Sequence, residues 1–200
     1  MLSIAIQAGG ESSRMGQDKA LMPFLGQPLI LRVLERVSWL GDEVLVTTNR
    51  PEDYRFLGVP LYADVVPDRG ALGGLYTALS QAHHELVAVV ACDMPFVNPD
   101  LLVLGRDRLL EGGLDAVIPR TEHGMEPFHA IFRRDTCVQA VQSALQAGKW
   151  RLISWLDDVQ VATIDPPEIL RYDPHGLAFL NLNTPQDLQE VERLAKELRA

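Results

Sequence analysis

The sequence predicts an α/β protein: a mostly parallel sheet with helices on both faces, in three layers. Three observations carry that expectation. Short apolar, β-branched runs alternate along the chain with segments of helical period. The connections between them are short, and no internal repeat or low-complexity stretch interrupts the order. The polar clusters Gly9-Gly10, Thr47-Thr48, Asp64, Asp93 and Asn181 each fall just past such an apolar run. Open α/β sheets bind ligands at that place, beyond the carboxyl ends of their strands. The architecture implied is Rossmann-like, and 200 residues suit a single domain spanning residues 1–200 with a sizeable core.

The elements follow in order. Ser3 to Gln7 reads as a strand in which Ile4 and Ile6 share one face. Residues 28–40 read as a helix, with Leu29, Val33, Leu34 and Val37 near the helical period and Pro28 at its start. Glu43–Thr47 and the short stretch Val59–Ala63 are strands. A helix opens at Ala71 and runs to about His83, where His83 and His84 would complement its dipole. Leu86–Ala91 is the most apolar strand and so the central one, because strands buried on both faces lose alternation. Asn98-Pro99 caps a helix reaching about Glu111. Asp115–Pro119 is a strand, 122–127 a polar loop, and His129–Phe132 a strand. Arg134–Ala147 is a helix stopped by Gly148. Lys149–Asp157 reads as a short helix, Gln160–Ile164 and Leu177–Leu182 as strands. Thr184 and Asp187 form a capping-box-like pair at the start of a closing helix.

Composition excludes several classes. The net charge is −9, from 27 acidic and 18 basic residues, which argues against nucleic-acid binding as the main role. No apolar run approaches the roughly 18 residues of a membrane span. No basic region precedes an apolar stretch at the N-terminus. Two cysteines, Cys92 and Cys137, are too few for a disulfide framework and lack zinc-site spacing. A cytoplasmic location is the expectation.

The richest stretch is 3–23. Its strand ends at Ala8-Gly9-Gly10, where glycines permit positive φ and close approach of a ligand. Ser12, Ser13, Arg14 and Lys19 follow. Exposed amides, hydroxyls and two cations after a strand suit a bound polyphosphate. The spacing is neither a P-loop, since Gly16 is followed by Gln17 and Asp18 before Lys19, nor the dinucleotide fingerprint G-x-G-x-x-G.

Ala8-Gly9-Gly10 with Arg14-Met15-Gly16 and Asp18-Lys19 resembles the nucleotidyltransferases, and among them the molybdenum cofactor guanylyltransferases. Their pattern is Leu-Ala-Gly-Gly, Arg-Met-Gly, Asp-Lys. Gln7 stands where that family has leucine. Further resemblances are Gly70-Ala71-Leu72-Gly73-Gly74 to the family's Gly-Pro-Leu-Ala-Gly, and Asn181-Leu182-Asn183-Thr184-Pro185 to its Asn-x-Asn-Thr-Pro. The resemblance implies a nucleotide-diphospho-sugar-transferase-like fold and transfer of GMP from GTP to the terminal phosphate of molybdopterin or Mo-molybdopterin. It also implies Mg²⁺ as cofactor and transient contact with molybdenum-cofactor proteins.

The residues acquire roles on that basis. Lys19 and Arg14 would offset charge on the triphosphate and the leaving pyrophosphate. Asp93, at the tip of the apolar strand, would hold Mg²⁺. Gln7, Ala8, Gly9, Gly10 and Asp64 would contact the nucleotide. Asn181 and Asn183, on one face by alternation, would complete the metal shell or touch the acceptor, and Lys149 and Arg151 suit its phosphate. Gln7 faces away from Ile4 and Ile6, and its amide requires a partner in protein or nucleotide. Cys92 has no base beside it and reads as a buried strand cysteine. Two alternatives stay open: a related transferase using CTP or another acceptor, such as a sugar phosphate or phospholactate, and a non-catalytic nucleotide-binding module.

Overall fold

The computed structural model describes residues 1–8, 18–182 and 185–197. The strands are β1 (Leu2–Gln7), β2 (Pro23–Phe24), β3 (Gln27–Pro28), β4 (Glu43–Thr47), β5 (Leu61–Tyr62), β6 (Leu86–Ala91), β7 (Ala116–Thr121), β8 (Gly124–Met125), β9 (His129–Arg133) and β10 (Val161–Ile164). The helices are α1 (Leu29–Val37), α2 (Gly70–Gln81), α3 (Pro99–Gly112), α4 (Arg134–Gln146), α5 (Pro166–Tyr172) and α6 (Pro185–Glu197).

The main sheet runs β10-β7-β9-β6-β1-β4-β5, with β8 paired to β7. All neighbours on the β6-β1-β4-β5 side are parallel, as are β10 and β7; β9 is antiparallel to both β6 and β7. β6 is central because Leu86 through Val90 are all buried. Fully burying a Val or Leu side chain is worth about 1.5–3 kcal/mol, and only a strand covered on both faces gains this at every position.

The period of two in β1 sorts its side chains. Ile4 and Ile6 join one core with Ile30 and Val33 of α1 and Leu101 and Leu109 of α3. Ala5 joins the other with Leu75 and Leu79 of α2 and Val141 and Leu145 of α4. Two helical layers therefore enclose the sheet. Asn98 caps α3 through its Oδ1, which accepts from Asp100 N at 2.9 Å and Leu101 N at 3.4 Å, and Gly113 ends it at φ +59°.

Four local expectations are corrected. Leu177–Leu182 is not a strand: Leu180 N donates to Leu177 O and Ala178 N to the Asp173 carboxylate, so turns hold this apolar segment. Lys149–Asp157 forms turns and a 3₁₀ segment at Leu156–Asp158, in which Trp155 Nε1 donates to Leu152 O at 2.8 Å. The 122–127 loop is a tight hairpin containing β8. His83 lies beyond α2 and pairs with Glu43 rather than the helix end. Helix α5 was not anticipated from the sequence; Asp165 holds its N-cap position without a side-chain hydrogen bond, and proline opens its first turn.

Candidate active site

The site forms where β1, β4 and β6 end side by side. Parallel pairing puts their last residues in register, Gln7 with Thr47 and with Ala91. The turn after β6 is sewn to β1 by Cys92 N donating to Gln7 O at 3.0 Å, and Ala8 N donates to Thr47 O at 2.9 Å. These bonds use up the backbone groups that the sheet leaves at its edge and fix Asp93 beside the exit of β1.

Burial pushes the Asp93 carboxyl up from its ordinary range, and the nearby Lys19 ammonium opposes that rise. Lys19 and Asp93 are thus in electrostatic reach. Burial also pushes the Cys92 thiol up, and Asp93 adds to the effect. A thiol so held stays protonated, which agrees with Cys92 having no chemical role. Asp93 O accepts from Leu182 N at 3.0 Å, so the segment carrying Asn181 is clipped to the Asp93 turn across a long stretch of sequence. Asn181 Nδ2 points to Phe179 O at 3.4 Å.

Lys19 opens a 3₁₀ turn, Lys19–Leu21, capped by Asp18, whose Oδ1 accepts from Ala20 N at 3.1 Å. Arg14, Gly9, Gly10 and Asn183, together with the expected cap Thr184, lie outside the described residues.

Gln7 lies on the α2 side, opposite Ile4 and Ile6, as alternation requires. Its carboxamide rests on Gly74: a Cβ there would lie 1.7 Å from Gln7 Nε2. Gln7 Oε1 is buried without a hydrogen-bond partner, and so is Thr47 Oγ1 in the adjacent strand. The expected protein partner for this amide is therefore absent among the described residues.

Asp64 is tied into the frame. Its Oδ2 accepts from Asn49 Nδ2 at 2.8 Å, its backbone N donates to Asn49 Oδ1 at 2.9 Å, and Thr77 Oγ1 approaches Oδ1 at 3.5 Å. Asn49 and Thr77 join the end of β4, the end of β5 and α2 into one rim. Sequence reasoning gave neither a role; Thr77 sits mid-helix, where nothing in its spacing marks it.

Lys149 and Arg151 flank Trp150, whose exposed ring lies under the Arg69 guanidinium, 4.8 Å from centroid to Cζ. Arg69 occupies the cap position of α2, next to Gly70 at φ +53°, so this stretch reaches the rim at the start of that helix. Lys149 Nζ donates to Ser154 O at 2.9 Å within its own turn.

Comparison with known proteins gives this arrangement its kin. Residues 4–160 match the MobA-like NTP transferase domain. A probable molybdenum cofactor guanylyltransferase of Natronomonas pharaonis is 36% identical, over 95% of this chain and 96% of the relative. A molybdenum cofactor guanylyltransferase of Syntrophotalea carbinolica is 34% identical, over 96% and 90%. The crystal structure of molybdopterin-guanine dinucleotide biosynthesis protein A from Archaeoglobus fulgidus superposes with a TM-score of 0.83 at 25% identity, covering 98% of this chain and 99% of the other. The chain belongs to the MobA-like NTP transferases and, among these nucleotidyltransferase enzymes, to the molybdenum cofactor guanylyltransferases.

Proposed function

We propose that the protein transfers GMP from GTP to the terminal phosphate of molybdopterin, or of Mo-molybdopterin, and releases pyrophosphate. The observation that carries this reading is that Asp93, just past the end of β6, lies in electrostatic reach of Lys19 and is bonded through its carbonyl to the segment carrying Asn181. The attacking phosphate is already anionic, so the reaction needs no general base; it needs positioning and charge neutralisation. Lys19, with Arg14, offsets charge on the triphosphate and on the departing pyrophosphate. The backbone of Ala8, Gly9 and Gly10 supplies close approach, and Gln7 meets the base or ribose. Asp64 has lone pairs left to accept from the nucleoside after its bonds to Asn49 and Thr77. Asn181, Asn183, Lys149 and Arg151 receive the acceptor.

Mg²⁺ is the cofactor in this reading, and the donor set fits it. Among the described residues no group of three or more His, Cys, Asp or Glu is placed to hold a metal. A single carboxylate completed by phosphate oxygens and water is the habit of Mg²⁺. Asp93 also has its charge disfavoured by burial, so it gains from a cation. When bound, the ion would offset negative charge at the reacting phosphates. The role proposed is cytoplasmic and ends in hand-over to molybdenum-cofactor proteins; no helix among the described residues is long and apolar enough to cross a membrane.

Calorimetry with GTP, CTP, ATP and UTP in the presence of Mg²⁺ tests the donor. GTP is expected to bind tightest. CTP binding as tight or tighter would overturn the guanylyl reading and leave the transferase class intact.

A further inference from the structure

Tyr54 lies in a 3₁₀ segment, Pro51–Leu57, that carries no motif and closes at Gly58 with φ +67°. Its side chain is wholly buried in the core that holds Ile4, Ile6 and Ala20. One polar atom emerges from that packing: the phenol donates to Asp18 Oδ2 at 2.5 Å. Burial, and then this bond, push the phenol well above its ordinary range. The hydroxyl therefore keeps its proton and remains a donor.

The other contacts of Asp18 give the bond its meaning. Arg50 also donates to Oδ2 in an ion pair. Oδ1 caps the 3₁₀ turn through Ala20 N, and the Asp18 backbone carbonyl accepts from Leu21 N at 3.1 Å. Every acceptor of Asp18 is thus engaged in setting the turn on which Lys19 is the first residue. A bare carboxylate next to Lys19 and near Cys92 and Asp93 would repel a polyphosphate. Arg50 cancels its charge, while Tyr54 fixes its orientation from the rigid side of the core.

We propose that Tyr54 is a positioning residue for the triphosphate: through Asp18 it aims the Lys19 turn at the β- and γ-phosphates. Arg50 keeps Asp18 from competing with the nucleotide for Lys19. This inference rests on the nucleotide reading given above. Rigid-core anchoring of a charged group is what keeps it pre-organised at no cost on binding.

Tyr54→Phe removes only the donor oxygen. GTP affinity is expected to fall about fivefold, the equivalent of one ordinary hydrogen bond felt through Asp18, while affinity for GMP, which lacks the β- and γ-phosphates, stays within about twofold. In a Lys19→Met background Tyr54→Phe should add nothing to the loss of GTP binding, because the two act as one unit. An unchanged ratio of GTP to GMP affinity, with only a lowered melting temperature, would overturn the proposal and leave Tyr54 a packing residue. Should Tyr54→Phe fail to fold, Arg50→Met tests the same carboxylate from its exposed side, and the same GTP-specific loss is expected; an unchanged ratio there overturns the proposal equally. Wild-type protein that binds neither GTP nor GMP would instead refute the nucleotide reading itself.

Discussion

Replacing Gln7 with leucine separates two effects of its carboxamide, one on the fold and one on the ligand. Gln7 Oε1 is buried and has no partner among the described residues. An unmet buried acceptor costs about 1–3 kcal/mol. Leucine lacks that acceptor but has one heavy atom fewer, and the small gap left beside Gly74 costs about 0.5 kcal/mol. The balance is a gain of about 1 kcal/mol. For a chain of this length that raises the melting temperature by about 2–4 °C. When GTP binds, Oε1 is expected to accept from it, so Gln7→Leu weakens GTP by about 1 kcal/mol, about fivefold. Differential scanning calorimetry without nucleotide and titration calorimetry with GTP read the two effects separately. A lowered melting temperature would refute the reasoning, for it would mean that Oε1 already has a partner, such as a water shared with Thr47. A raised melting temperature with unchanged GTP affinity would remove Gln7 from the nucleotide site.

Two further outcomes follow from charge and burial. Asp93→Asn should fold normally and lose Mg²⁺-dependent turnover by about a hundredfold or more; a well-folded, active variant would place the metal elsewhere. The Asp93 carboxyl is raised in the fold, so its ionised form opposes folding above the unfolded value of about 4. The variant should therefore be the more stable at pH 7 and lose that advantage below about pH 4, as read by denaturant unfolding across pH. His129 is buried, its Nε2 facing Asn98 O at 3.1 Å, and burial lowers it from 6.5 to about 4. The unfolded chain then binds more protons between those values, so stability falls as pH drops through about 6.5 to 4, by about 3 kcal/mol in all. His129→Gln should flatten that slope; an undiminished slope would show that other groups dominate acid unfolding.

Much of the architecture was legible because strand burial and helix capping write themselves into local sequence. The run Leu86–Ala91 and the pair Asn98-Pro99 each state their conformation within a few residues. Leu177–Leu182 did not, since Phe179 packs on His129 and Leu182 joins Phe24, Leu29 and Val191 in a small cluster, rather than pairing in the sheet. Periodicity cannot tell those two kinds of burial apart. At the site, Lys19 and Asp93 were readable from motif and position at strand ends. Tyr54, Asn49 and Thr77 were not, because each acts through a partner more than ten residues away, Asp18 or Asp64. A tyrosine in an unmarked 3₁₀ segment carries no local sign that its hydroxyl will reach the Asp18 cap of the Lys19 turn.

The hydrogen bond from Leu182 N to Asp93 O also joins two parts of the chain that are synthesised far apart. Asp93 is presented by a strand that can take its place once β1 and β4 are available to pair, whereas its clip comes nearly half the chain later. During vectorial synthesis, where N-terminal parts fold first, the sheet can close around β6 while the Asp93 turn still lacks its far wall. Closing so long a loop is entropically costly and slow, so in a nascent chain the ends of β1, β4 and β6 would be in place before the segment carrying Asn181 reached them. The far wall of the Asp93 turn is thus among the later parts of this fold to be set in place.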